Sequence, residues 1–192
     1  MTRLARIVTE VTAPAVLVTV LFVAVGWHST EDRLAGLGWG LLAAVFASAI
    51  PFAFIVGGVR RGRLTDHHVG VRQQRRTPLL FGLVSVAIGL VLMVVLGAPR
   101  PVLALVVTGA IGLVVGVTVG HRWKLSIHTA VAAAAAVIVV LVFGPVLFVA
   151  WPVLGLVGWS RIRLGAHTIA QVVAGGVVGG LVAGVVFVAA LR

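Results

Sequence analysis

The sequence predicts an all-α fold, a polytopic bundle of six to seven transmembrane helices with its active-site loops on one membrane face. Three observations lead there. Of 192 residues, 61% are hydrophobic and only 10% charged, and the mean hydropathy is +1.22. Apolar runs recur along the whole chain, many close to the ~20 residues that an upright helix needs to cross hydrocarbon. The charges gather in short clusters between those runs. One integral membrane domain over 1–192 accounts for this, a helix pair at 11–59 leading into a core at 60–192.

Charges and turn formers mark off seven segments, at 11–27, 34–59, 79–97, 102–120, 129–143, 146–160 and 168–191. The shorter ones imply half-buried helices or a locally thinned bilayer. Met1-Thr2-Arg3 before an apolar run imitates a signal peptide, but no small-x-small site follows Val25, so the first helix is read as retained. Ala98-Pro99-Arg100-Pro101 sets two prolines and a charge in the pattern, which predicts a tight hairpin. Gly144-Pro145 predicts a second. A single helix through it, from His128 to Arg161, would be about 50 Å long at 1.5 Å per residue, too long for a core of about 30 Å. The last segment carries Gly175, Gly176, Gly179, Gly180 and Gly184. Small residues at that spacing let helices approach closely in lipid, within the chain or between two copies in a homo-oligomer. The alanine-rich run 130–136 reads the same way.

Counting spans fixes the topology. Two separate the N-terminus from the polar loop at 60–78, two more lead to 121–128, and two more to 160–167. All three clusters therefore share one membrane face. Arg33, Arg100 and Arg192 fall on the other face, and the remaining twelve of the fifteen Lys and Arg on the cluster side. The positive-inside rule makes that side cytoplasmic, in a bacterial plasma membrane.

Composition also excludes. With no cysteine, disulfides, thiolate metal sites and a Cys nucleophile are ruled out. The net charge of +11 does not imply a nucleic-acid partner, because the basic residues lie in inter-span loops and no aromatic-basic stacking platform accompanies them. Asp66, His67 and His68 hint at a metal, yet adjacent histidines are expected to point apart and no further carboxylate is near in sequence, so no metal or cofactor is expected. Trp27, Trp123, Trp151 and Trp159 read as interfacial anchors.

The chemistry lies in two clusters, 121–128 and 160–167. Ionisable groups beside membrane spans are costly and are read as functional. His128 opens the fifth segment and His167 the seventh, so both lie at helix N-termini, where the dipole and free N–H groups favour an anion. Arg161 ends the preceding helix within reach of His167, and its guanidinium fork suits phosphate oxygens. Ser126 is placed to cap the fifth helix and to donate to the same anion. Lys124 can reach a second phosphate, and His121 either ends the fourth helix or touches the site. Two imidazoles around one phosphate suggest that one attacks phosphorus while the other protonates the leaving oxygen and then activates water.

These residues resemble the type 2 phosphatidic acid phosphatases, membrane enzymes that remove phosphate from lipid phosphates and diphosphates without a metal. The family's third motif is Ser-Arg, five residues, His, three residues, Asp. The chain has Ser160-Arg161, five residues, His167, three residues and Gln171. Pro-Ser-Gly-His, the second motif, is met by Leu125-Ser126-Ile127-His128, and the first, Lys, six residues, Arg-Pro, by His68 and Arg75-Arg76. The resemblance spans roughly 66–180 and is strongest at the third motif. It implies His167 as nucleophile and His128 as general acid and base. It implies phosphate held by Arg161, Arg75 and Ser126, with His68 or Arg72 standing where the family has lysine. Gln171 replaces the orienting Asp and can accept the ring N–H without adding charge. His167-Thr168-Ile169-Ala170-Gln171-Val172 is also similar to relatives resembling dolichyl diphosphate phosphatase, which tilts the expected partner among membrane lipids toward a polyprenyl phosphate or diphosphate. Two further readings stay open, transfer of phosphate to a lipid alcohol, and a noncatalytic transporter or anionic-lipid scaffold.

Overall fold

The computed structural model covers residues 1–192 and describes the side chains of all but His121, Arg122, Val146 and Val149. The expectation for His121 lies outside the described side chains.

The chain begins with a short helix, ahead of the first span, that the sequence reading did not mark off. In α1, Thr2–Val11, Arg3, Arg6 and Glu10 lie on one exposed side and Leu4, Ile7 and Val11 on another. Ala5 and Thr9, one turn apart, are buried, and α1 packs on the α8 helix described below. Pro14, which has no N–H to donate, opens α2, Pro14–His28, and the two helices meet at 41°.

The second span, Arg33–Arg60, runs as α3, Arg33–Ala44, a π-turn at Val45–Ala49 and α4, Ile50–Arg60. Asp32 caps its start, accepting from the Leu34 and Ala35 amides. The widened turn lies just before Pro51, whose missing N–H leaves the helical ladder short of a donor. Ser85 from the next helix donates to the Phe46 carbonyl in that turn at 2.6 Å. The helices α2 and α3 touch backbone to backbone: a Cβ on Gly26 would meet the Gly36 carbonyl oxygen at 2.5 Å, and one on Gly40 the Phe22 carbonyl oxygen at 2.5 Å. The sequence reading assigned these glycines no role.

The remaining helices are α5, Arg76–Val95, α6, Arg100–Arg122, α7, Ile127–Phe143, α8, Trp151–Arg163, α9, Ile169–Val182, and α10, Val188–Leu191. Both predicted hairpins are present. Gly97, at φ +76°, and Pro99 turn α5 into α6. Gly144, at φ +100°, ends α7 and leads through a 3-10 turn, Pro145–Ala150, into α8. A second π-turn, Ala183–Phe187, joins α9 to α10.

Among the described residues, four helices are long and apolar enough to cross a membrane: Arg33–Arg60, Arg72–Val95, Arg100–Gly120 and Ile169–Leu191. The bent pair of α1 and α2 makes five. This is fewer than the six to seven expected, because α7 and α8, with 17 and 13 residues, reach only about 25 and 20 Å at 1.5 Å per residue. Together with the turn between them they still form a hairpin that leaves and returns to one end of the bundle. On the outside, Ile169, Val173, Val177, Leu181 and Val185 repeat every four residues, each more than half exposed, a stripe suited to lipid.

Close packing fixes α7 against α9. A Cβ on Gly175 would lie 2.5 Å from the Ser126 carbonyl oxygen and from Thr129 Oγ1, and one on Gly179 would collide with the Ala130 backbone. Gly175 and Gly179 therefore serve contacts within the chain, and are not the face a second copy would use. Gly175→Ala is expected to cost about 1–3 kcal/mol through overpacking, read as a lowered unfolding temperature in detergent.

Candidate phosphate site

Three polar segments meet at one end of the bundle, where the apolar core of Met93, Val102, Ile138 and Phe187 gives way to buried polar groups. The sequence-predicted residues Ser126, His128, Arg161, His167 and Arg75 are all buried there.

Local chain geometry sets His167. The α8 helix ends at a turn in which Gly165 takes φ +66°, and the Ala166 and His167 amides both donate back to the Arg161 carbonyl, at 3.0 and 3.3 Å. This folds the imidazole over the arginine that precedes it. Thr168 then caps α9 in a capping box, accepting from the Gln171 amide at 3.4 Å, while Gln171 Oε1 accepts from the Thr168 amide at 3.3 Å. Oε1 also lies 3.1 Å from His167 Nδ1. Because that oxygen already accepts from a backbone N–H, it is the carbonyl end of the amide, and Nδ1 must carry the proton. The lone pair is left on Nε2.

Ser126 is the N-cap of α7, its Oγ accepting from the Thr129 amide at 3.4 Å. Its own amide donates to the Gln171 carbonyl at 3.3 Å. The starts of α7 and α9 are thus tied together, and Gly175 permits the approach. His128, 5% exposed, has no partner for Nε2 among the described residues, and Arg161, 4% exposed, has none for Nε. Buried polar atoms are normally satisfied. Two unsatisfied ones, with Arg161 acting electrostatically on His128, leave hydrogen-bonding capacity unused at this end of the bundle.

The long polar loop supplies the third side. Arg75 donates from Nε to the Val69 carbonyl at 2.9 Å and from Nη1 to the Leu125 carbonyl at 3.0 Å, stitching that loop to the turn before α7. Val69 holds φ +48°, a strained conformation for a β-branched residue. Asp66 enforces it: its carboxylate accepts from the His68 and Gly70 amides at 2.8 and 3.0 Å, and its carbonyl from the Val69 amide at 3.1 Å. The sequence reading weighed Asp66 only as a metal ligand. His68 is half-buried, its ring edge-on to His128 at a centroid distance of 5.1 Å. Lys124 is half-buried, and Arg72 stays exposed at the start of the Arg72–Gln74 turn.

Charge shapes the titration of these groups. Burial lowers His167 to about 4, helped by Arg75, Arg161 and Lys124 and opposed by the Gln171 hydrogen bond. Its imidazole is therefore neutral at physiological pH. Burial, with Arg75 and Arg161 beside it, also lowers Lys124.

One part of the site went unforeseen. Glu10 of α1 accepts from both adjacent histidines, His68 Nε2 at 2.9 Å and His67 Nε2 at 3.2 Å. Burial opposes ionisation of Glu10, but the bonds and charges of the two histidines outweigh it and hold its carboxyl below the usual range. The expectation that neighbouring histidines diverge with no carboxylate near is thus corrected, since a residue 57 positions earlier draws them together. These three groups offer donor atoms within 4.8 Å of one another and could hold a divalent cation. They are already paired with each other, and the arginines nearby disfavour a dication. The sequence signal was available: Glu10 is one of only four acidic residues, on an amphipathic segment.

Fold and site define a class, an all-helical membrane protein with a buried, cationic, two-histidine centre suited in charge and geometry to a phosphate group. Residues 77–192 match the PAP2 superfamily. That is more than half of the chain, which belongs to this superfamily, and membership indicates a phosphatase acting on phosphate esters. No curated protein and no solved structure matches the chain. The match begins at Thr77, so α1, His68 and Arg75 lie before it.

Proposed function

We propose that the chain is a metal-independent phosphatase that hydrolyses a lipid phosphate or diphosphate through a phosphohistidine on His167. The observation that carries this reading is the pair of unsatisfied, buried nitrogens, His128 Nε2 and Arg161 Nε, beside an imidazole whose tautomer leaves Nε2 free. Arg161, Arg75 and Ser126, with His68 and Lys124 at the rim, would neutralise the phosphate oxygens. His167 Nε2 attacks phosphorus as the bond to the leaving oxygen breaks, and His128, neutral in the free protein, passes to that oxygen a proton taken up from the substrate's phosphate monoanion. Water, deprotonated by His128, then releases phosphate from His167. Gln171 holds the attacking ring throughout.

A lipid substrate is supported by the hydrocarbon surroundings and by a groove of about 310 Å³ between α4 and α5. Its walls include Ala53, Phe54, Leu64 and Pro78, with Arg61 and Arg63 at its rim. A tail can lie along such a groove while the headgroup enters the cup. The larger apolar cavity, about 420 Å³, is lined by Trp27 and Phe143 at the far end of α7, away from the chemistry, and takes no part in this reading. The sequence motif around His167 favours a polyprenyl chain.

Purified protein should release inorganic phosphate from at least one member of a panel of phosphatidate, phosphatidylglycerol phosphate and polyprenyl phosphates, equally well with a chelator present. Dependence on an added divalent metal would overturn the metal-independent mechanism, and no turnover across the panel would overturn the lipid phosphatase reading. We place the site on the cytoplasmic face; a cysteine introduced at Gly62 is expected to react with an impermeant reagent only after the membrane is opened.

A further inference from the structure

Glu10 occupies an exposed position on a helix that needs no carboxylate for its own stability. Yet each of its oxygens engages one imidazole, Oε1 taking His68 at 2.9 Å and Oε2 taking His67 at 3.2 Å. The helix is anchored separately: Thr9 donates to Ser160 Oγ at 3.1 Å, and the Ser160 hydroxyl donates to the Val157 carbonyl at 2.8 Å. Ser160 immediately precedes Arg161, so α1 is fixed to the cationic cup itself. His68, held by Glu10, presents its ring edge to His128.

We propose that Glu10 is a positioning residue for phosphate binding, pairing with His68 so that this imidazole is held at the rim of the cup, facing His128. This rests on the reading of the site as a phosphate centre. Arg75, Arg161 and Lys124 make the cup positive, and Glu10 is the carboxylate in contact with the imidazole at its rim. Asp66, the other carboxylate nearby, is engaged by backbone amides of its own loop. A phosphate entering the cup can meet this imidazole without His68 having to reorient.

The test measures orthovanadate binding to the full chain in detergent, in metal-free buffer from which chelator has been removed, through the rise in unfolding temperature. Glu10→Gln is expected to weaken binding about tenfold, the scale of one charge-assisted contact. His68→Lys alone should bind as the parent does. The pair Glu10→Gln with His68→Lys should recover to within about threefold, since a lysine on its flexible stem needs no carboxylate to hold it in place. Thr9→Val, which loosens α1 without touching His68, should cost less than Glu10→Gln. The proposal is overturned if Glu10→Gln binds normally, if the double variant stays as weak as Glu10→Gln, if His68→Lys alone loses binding, or if Thr9→Val matches Glu10→Gln. Hydrolysis in the parent chain is scored separately, so vanadate binding without turnover would count against the phosphatase reading and leave the role of Glu10 to the binding series.

Discussion

Replacing His167 with alanine is expected to lower turnover by about 10⁴-fold or more, the scale seen when a nucleophile is removed, while phosphate still binds. The side chain is held by one hydrogen bond from its ring, and its backbone is independently fixed by the amide bond to the Arg161 carbonyl. The loop should therefore keep its course without the imidazole. Arg75, Arg161 and Ser126 would remain to hold the anion. His128→Ala should behave differently. Attack by His167 can still occur when the leaving group is good enough to depart unprotonated, but water then lacks its base. Labelled phosphate should accumulate on the protein as a phosphoramidate, stable to alkali and lost in acid. Equal, label-free inactivity of both variants would remove the covalent intermediate from the mechanism.

The acid limb of kcat/KM should fall near pH 4, well below the ordinary imidazole range, once the ionisation of the substrate is corrected for. The sign follows from the environment of His167. Burial and the charges of Arg75, Arg161 and Lys124 all disfavour its protonated form, and the carbonyl of Gln171 only partly opposes them. Because kcat/KM reports the free enzyme, the nucleophile is lost only as pH drops through the value near 4 and is fully available above it. Gln171→Glu sets a negative charge against Nδ1 and should move this limb upward by one unit or more. The same charge favours the positive phosphoimidazole, so turnover on the plateau should not fall. Gln171→Ala, by contrast, removes the group that selects the tautomer and should reduce turnover on the plateau. An acid limb unmoved by Gln171→Glu would mean that His167 is not the titrating group.

What the sequence made legible was whatever depends on short range or on counting. The stretch from Ser160 to Gln171 is a helix end, a turn and a helix start, so its spacing alone brings Arg161 and His167 together. Span counting joined the polar clusters even though α7 and α8 proved too short to qualify as spans by length. What stayed hidden depends on contacts between distant residues. Thr168-x-x-Gln171 has the form of a capping box, but the second use of its amide oxygen on His167 appears only in three dimensions. Gly175 was rightly read as a packing residue, yet sequence could not say that its neighbour is Ser126 of the same chain. Glu10 was passed over because α1 lay outside every apolar segment, and the divergence expected of His67 and His68 ignored what a third residue could impose.

The bond between Thr9 and Ser160 joins positions 151 residues apart. Helix α1 leaves the ribosome well before α8, so its seat does not exist until the hairpin of α7 and α8 has formed. Segments far apart in the chain must therefore both be in place before this end of the bundle closes, and a chain stopped short of α8 leaves α1 without its partner.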